Sequence, residues 1–238
     1  MTTRRKLTIH HDGTALEGEI AFAAASGCRP AVLVMSNAHG LGRQARDRAS
    51  RLAERGYVAL ATDMYGGGAH FSEPKEAGVP FAALQANPEM LRSRVVAWYE
   101  ALKELREVDP TRIAAIGFCF GGQCVLELAR SGREVKAVVS YHGLLHTETP
   151  ARPGAIKGQV VVYTGRRDPY VPREQVETFR NEMIAAAAAW QITEFGESYH
   201  SFTDPDADSE RGVAGIRYDP LADRLSWEGT LALLDGVF

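Results

Sequence analysis

Three residues have the types and the chain order that nucleophilic hydrolysis requires: Cys119, Asp168 and His200. The apolar run Ile113-Ala114-Ala115-Ile116 leads into Gly117-Phe118-Cys119-Phe120-Gly121-Gly122, a Gly-x-nucleophile-x-Gly turn with cysteine where serine is usual. The glycines have a steric reason. A sharp strand-to-helix turn strains the nucleophile and leaves no room for side chains two residues before and after it, a need that Gly117 and Gly121 meet. The same turn sets the thiol at a helix N-terminus, where unpaired N–H groups and the helix dipole favour a thiolate.

Such an elbow calls for an acid after a later strand and a histidine after the last one. Asp168 follows the run Val160-Val161-Val162-Tyr163, and His200 follows Ile192-Thr193-Glu194-Phe195. Asp63 also ends a strand-like run, but it precedes the nucleophile and reads as a loop anchor. Asp204, Asp206 and Asp208 come after His200, so the order rejects them. His142 and His146, four apart with Glu148 nearby, raise a metal pair, but Gly143 and Pro150 interrupt the segment and no third ligand stands at a usable spacing. The expectation is therefore no metal and no cofactor. Cys28 and Cys124 read as packing. A redox role for Cys119 with Cys124 is disfavoured, because a five-residue separation across an elbow and a helix is unlike Cys-x-x-Cys.

The elements that must position these groups follow a repeated grammar. Short β-branched runs at residues 31–35, 57–61, 112–117, 136–141, 159–163 and 191–195 alternate with helix-length segments at 43–55, 88–107, 121–131, 173–188 and 221–234. That alternation predicts an α/β fold, a doubly wound and mostly parallel sheet. At the front, alternating segments within residues 6–22 flank the turn His11-Asp12-Gly13-Thr14, which predicts an N-terminal β-hairpin as an edge decoration. Gly56 after Arg55 and Asn87-Pro88-Glu89 supply a helix stop and a helix start. The stretches 65–80 and 143–153 read as loops that wall a pocket. All three candidate residues then fall at the C-terminal ends of strands, the rim where open α/β sheets bind ligands.

Composition limits the remaining choices. The 238 residues lack repeats and domain linkers, so one domain is expected over 1–238, with the hairpin at about 6–22 and a catalytic core at about 30–236. Lys and Arg number 27 against 30 acids, which offers no basic excess for nucleic acid or an anionic membrane. No run approaches the roughly 20 apolar residues that span a bilayer. Arg4, Arg5 and Lys6 are followed by charged and polar residues rather than the apolar core of a signal peptide. Three cysteines are too few and too odd for a disulfide framework, which points to a reducing, cytoplasmic setting. The oligomeric state is not written in the sequence.

Around the three candidates the chain resembles the dienelactone hydrolase (carboxymethylenebutenolidase-like) family of α/β-hydrolases. The resemblance rests on Gly117-Phe118-Cys119-Phe120-Gly121-Gly122, on Asp168 followed by Val171-Pro172, and on His200-Ser201-Phe202. It extends to Gly56-Tyr57-Val58-Ala59, Asp63-Met64-Tyr65, Gly215-Ile216-Arg217-Tyr218-Asp219 and Ser226-Trp227. It implies an α/β-hydrolase fold, a Cys119-His200-Asp168 triad and hydrolysis of a small ester or lactone through a thioacyl-enzyme. The oxyanion would be held by the backbone N–H groups of Phe120 and Ala38. Asn37, Tyr65 and Tyr141 are candidate substrate contacts. Two departures stand out. Asn37 replaces a glutamate that the family commonly places near the thiol, and Asp204 stands where dienelactone-specific members carry an arginine. A neutral amide cannot exchange a proton with Cys119, so the alternative is a catalytically weak ligand-binding or regulatory relative.

Overall fold

The computed structural model describes residues 2–24, 27–207 and 213–238; Asp208, rejected above by chain order, lies outside them. The chain divides into two compact units, Met1–Ile116 and Gly117–Phe238. Among the described residues eight strands form a mixed, mostly parallel sheet.

In the first unit the order is β1 (Thr2–His11), β2 (Thr14–Ala23), β4 (Val58–Thr62), β3 (Arg29–Met35). The hairpin β1–β2 pairs antiparallel from Thr2↔Ala23 to His11↔Thr14. Its two-residue turn, Asp12 and Gly13, has φ of 49° and 72°, the positive pair that matches the twist of a hairpin. Only β1 is an edge. β2 buries Leu16, Ile20 and Ala21 and pairs antiparallel with β4, so the hairpin belongs to the core rather than decorating it. β3 and β4 run parallel, joined through α1 (Arg43–Glu54), which buries Ala45, Ala49, Leu52 and Ala53 and stops at Gly56. α3 (Pro88–Lys103) starts where Asn87 accepts from the Met90 N–H at 3.0 Å, a side-chain cap of the kind its sequence predicts.

One helix departs from expectation. The stretch read as a loop at 65–80 contains the start of α2, which spans Pro74–Gln85 with Pro80 inside it. An interior proline costs about 3 kcal/mol in a helix, and only Ala77 and Leu84 of this helix are buried. Both features erase the apolar period by which a helix is recognised.

β5 (Val108–Phe118) carries the chain from the first unit into the second and is longer than its apolar run, because Asp109-Pro110-Thr111 extends it. It ends at the elbow, and α4 (Phe120–Arg130) follows with all eleven residues buried. β6 (Ala137–Tyr141), β7 (Gln159–Gly165) and β8 (Ala189–Phe195) then pair parallel in sequence order. α5 (Arg173–Ala185) stops short of the predicted residue 188, since Ala187 takes φ 51°. α6 (Pro220–Val237) is capped by Asp219, which accepts from the Leu221 and Ala222 N–H groups at 3.1 Å. Arg130, buried at the end of α4, donates to Glu127, Glu182 and the Leu145 carbonyl at 2.9, 2.7 and 2.9 Å, while Glu182 accepts from the Ala151 N–H at 2.9 Å. The segment after β6 is thereby pinned to α4 and α5. No described helix is long and apolar enough to cross a membrane.

Candidate active site

At the end of β5 the chain has no freedom. A Cβ on Gly117 would fall on the Gly121 carbonyl, so a glycine is the only residue that lets the strand turn straight into α4. Gly122 is equally constrained, since a Cβ there would lie 2.6 Å from Ser140 Oγ and 2.7 Å from Gly143 Cα. The sequence pattern singled out Gly117 and Gly121; the contact with β6 that demands Gly122 is not visible in it. Between these glycines Cys119 takes φ 53° and ψ −115°, a strained conformation that only a well-determined turn sustains. The residue is half-buried, with Cys124 fully buried behind it in α4. Burial pushes the Cys124 thiol up, and the nearby Glu127 and Cys119 add to that, so Cys124 stays a neutral packing residue.

Asp168 and His200 are brought together by the loops that end β7 and β8. The Arg166 N–H donates to the Phe195 carbonyl at 2.9 Å and the Arg167 N–H to the Ser198 carbonyl at 3.0 Å, which ties one loop to the other. Asp168 Oδ2 then lies 2.8 Å from His200 Nδ1, with both side chains buried. The other carboxylate oxygen accepts the Tyr170 N–H at 2.8 Å. The backbone of His200 is held as well, by Gly215 O to its N–H at 3.0 Å and by the Arg217 N–H to its carbonyl at 3.1 Å. Burial alone would lower the His200 pKa. A charged Cys119, hydrogen bonds from His200 to Asp168 and to Cys119, and the Asp168 charge outweigh it and push the imidazole up to about 10. Asp168, His200 and Cys119 thus stand in one hydrogen-bonded line, with the imidazole raised by the groups on either side of it.

The remaining sequence candidates fall elsewhere. Tyr141, read as a substrate contact, is instead a core residue: it is fully buried, its hydroxyl meets Thr230, and its ring stacks on Phe118 and Tyr163 at 4.8 and 5.5 Å. In the first unit, Asn37 accepts the His39 N–H at 2.9 Å and donates to Gln44 at 3.3 Å, and the Tyr65 hydroxyl donates to the Ala38 carbonyl at 2.9 Å. Both contacts shape the turn that carries Ala38. Cys28 is exposed rather than packed, with Sγ 3.4 Å from the Arg106 carbonyl. His142 and His146 part company, because the segment after β6 is not helical: His146 is exposed on Glu148, whereas His142 is buried beside Cys119. Among the described residues no group of three His, Cys, Asp or Glu side chains stands together as a metal site.

His142 is the residue that sequence reasoning misplaced. Its ring accepts from the Cys119 N–H at 3.2 Å and meets the His200 ring edge-on at a centroid distance of 5.2 Å. Nothing in the sequence but its place at the end of β6, one strand beyond the elbow, hints at this.

Known proteins resemble this chain along its length. Over the full chain the structure superposes with a TM-score of 0.92 on a dienelactone hydrolase-like promiscuous phosphotriesterase from metagenomic libraries, 36% identical, covering 100% of this chain and 99% of that one. A Caenorhabditis elegans protein of uncharacterized activity is 35% identical over 155 residues, 62% of this chain and 94% of its own. A Bradyrhizobium protein named as a probable 2-oxo-3-(5-oxofuran-2-ylidene)propanoate lactonase is 24% identical over 93% of this chain and 91% of its own. The fold is the α/β-hydrolase fold, and the Dienelactone hydrolase family model matches residues 17–238. With a fold shared end to end and a family match that takes in the elbow, the acid and the histidine, this chain belongs to the dienelactone hydrolase family.

Proposed function

We propose that the protein hydrolyses small carboxylic esters or lactones through a thioacyl-enzyme on Cys119, with His200 and Asp168 completing the triad. The observation that carries this reading is the chain of contacts in which Asp168 Oδ2 lies 2.8 Å from His200 Nδ1 while the same imidazole is hydrogen-bonded to Cys119.

The charge state divides the cycle into two halves. At rest the thiolate and imidazolium form a pair, so attack needs no prior proton transfer: Sγ bonds to the carbonyl carbon and the oxyanion forms. Phe120 opens α4, where the first N–H groups lack an acceptor within the helix, and its N–H would hold the oxyanion. As the C–O bond breaks, His200 gives its proton to the leaving alkoxide. The thiolate charge that raised the imidazole is then gone, and burial, which always opposed protonation, leaves His200 neutral. It can now take a proton from water as hydroxide attacks the thioester; the C–S bond breaks, the acid departs and the ion pair is restored. Asp168 holds Nδ1 throughout and keeps Nε2 facing the reaction.

A lactone substrate is supported by the lactonase name of the Bradyrhizobium relative. Activated phosphotriesters form a second class to assay, given the structural likeness to a promiscuous phosphotriesterase. A thiolate nucleophile needs a reducing compartment, so the reading carries a cytoplasmic location with it. The test is a p-nitrophenyl ester assay with mass mapping of adducts. Cys119→Ala falls to background and Cys124→Ala stays near wild type; equal activity of the two variants, or no adduct on Cys119 with an ester-like inactivator, overturns the assignment in favour of a ligand-binding relative.

A further inference from the structure

A third titratable side chain stands beside Cys119 and His200 that the hydrolytic cycle does not use. His142 follows β6 with φ 40°, a conformation that costs a non-glycine residue about 1 kcal/mol or more. It is fully enclosed, and both of its ring nitrogens are engaged. Nδ1 lies 3.2 Å from the backbone nitrogen of Cys119, and Nε2 lies 2.8 Å from Thr203 Oγ1, itself fully buried. A peptide N–H can only donate, so Nδ1 must present its lone pair. The ring proton is thereby fixed on Nε2, where the Thr203 hydroxyl accepts it. The Cys119 N–H is shared, since the Tyr141 carbonyl also accepts it at 3.0 Å; two consecutive residues of the chain grip one N–H of the elbow. The ring of His142 meets those of His200 and Phe202 edge-on, at 5.2 and 5.1 Å.

We propose that His142 is a positioning residue which holds Cys119 and His200 in register, its Nδ1 fixing the strained elbow, its ring walling the imidazole, and Thr203 selecting the tautomer that makes the first contact possible. Its effect on turnover rests on the hydrolase reading; its effect on the thiol does not. Plain packing predicts that any ring of similar size serves, whereas positioning requires an acceptor at the place of Nδ1. Phenylalanine has the ring without the acceptor. Asparagine has an amide oxygen at about the reach of Nδ1 without the ring.

The experiment compares wild type, His142→Phe, His142→Asn and Thr203→Val by two readouts: alkylation of Cys119 by iodoacetamide, followed by mass spectrometry, and kcat and KM for a p-nitrophenyl ester. His142→Phe lowers both the alkylation rate and kcat by roughly tenfold to a hundredfold, the range expected of a misplaced reacting group, with KM little changed. His142→Asn recovers the alkylation rate to within about threefold of wild type, and Thr203→Val, which leaves the ring in place, falls between. The proposal is overturned if His142→Phe alkylates like wild type, or if His142→Asn is no better than His142→Phe. Should the His142 variants fail to fold, Thr203→Val decides alone, and wild-type alkylation there overturns it. Because iodoacetamide needs no substrate, a wild-type protein inert toward esters defeats the hydrolase reading and leaves the alkylation series standing. Ester turnover that ignores His142 defeats only the positioning.

Discussion

Two buried aspartates, one in each unit, sit just past the C-terminal end of a strand and do different work. Asp63 follows β4 and spends both oxygens on the main chain: it accepts N–H groups of Tyr65 at 2.6 Å, of Gly66 at 2.9 and 3.1 Å, of Gly68 at 3.0 Å and of Glu17 at 3.4 Å. Asp168 follows β7 and spends one oxygen in that way, on Tyr170, and the other on His200. The residue type, the burial and the place relative to the strand are shared. What separates an anchor from an aspartate with an oxygen to spare for an imidazole is the donor set: glycines at 66 and 68, both at positive φ, let the chain curl around Asp63 until no lone pair is left over. Pro169, directly after Asp168, has no N–H to donate, and one carboxylate oxygen is left for His200.

The sharpest way to break this comparison is to take the charge from each. Asp168→Asn keeps the shape, but an amide can present its N–H to His200 and favour the wrong tautomer. Turnover should fall by about 10³–10⁴-fold with the melting temperature little changed, as steady-state kinetics and a thermal melt would show. If kcat falls less than about tenfold, the hydrogen bond to Asp168 is not part of the relay. Asp63→Ala should do the reverse. It strands several part-buried N–H groups and should cost about 2–4 kcal/mol of unfolding free energy in urea, while kcat per folded molecule stays near wild type. Loss of kcat without loss of stability would move Asp63 out of the anchor class.

A third test concerns what Asp168 has and Asp63 lacks, a titrating partner. Burial lowers the His200 pKa, and the opposing charge of Cys119 and the bonds to Asp168 and Cys119 raise it to about 10. Acylation needs that proton for the leaving alkoxide, so kcat should decline as pH rises through about 10 and not before. In Cys119→Ala the thiolate contribution is removed and burial is left against Asp168 alone. The imidazole pKa, followed by its nitrogen chemical shifts, must move down; a value unchanged in that variant would show that the thiol is not charged at rest.

The difference between the two aspartates was legible in part. Chain order alone read Asp63 as a loop anchor and paired Asp168 with His200, the contact that the structure has, because an elbow with Gly117, Cys119 and Gly121 demands its acid downstream. The strands were legible from composition, since buried parallel strands such as β6 and β7 carry the apolar runs Ala137-Val138-Val139 and Val160-Val161-Val162-Tyr163. Features that depend on contacts between distant segments were not. Gly122 is needed because β6 and Gly143 approach it, Tyr141 is core because its hydroxyl finds Thr230, and His142 matters because a ring placed by one strand reaches a backbone N–H placed by another. The positive φ values of Cys119, His142 and Ser201 belong to the same class, being strain held by surroundings rather than preferred by residue type. α2 was hidden for the opposite reason, since its local signals, Gly78 and Pro80, argue against the helix it forms.

The smallest effect separates the carboxylate of Asp63 from its backbone. The indole Nε1–H of Trp98, fully buried in α3, donates to the Asp63 carbonyl at 2.7 Å, so the anchor is itself held from the helix side. Trp98→Phe removes that donor and part of the ring but leaves all the N–H bonds to the carboxylate. A neutral hydrogen bond contributes about 1 kcal/mol net, and the lost ring volume adds to that, so a destabilisation of roughly 2–3 kcal/mol is expected, smaller than that of Asp63→Ala. Measured together, the two substitutions and their double variant report whether the carboxylate and the carbonyl act separately. Additive losses mean that the carboxylate and the Trp98 hydrogen bond hold the segment after β4 independently; a double variant no worse than Asp63→Ala means that Trp98 acts only through the turn that the carboxylate builds.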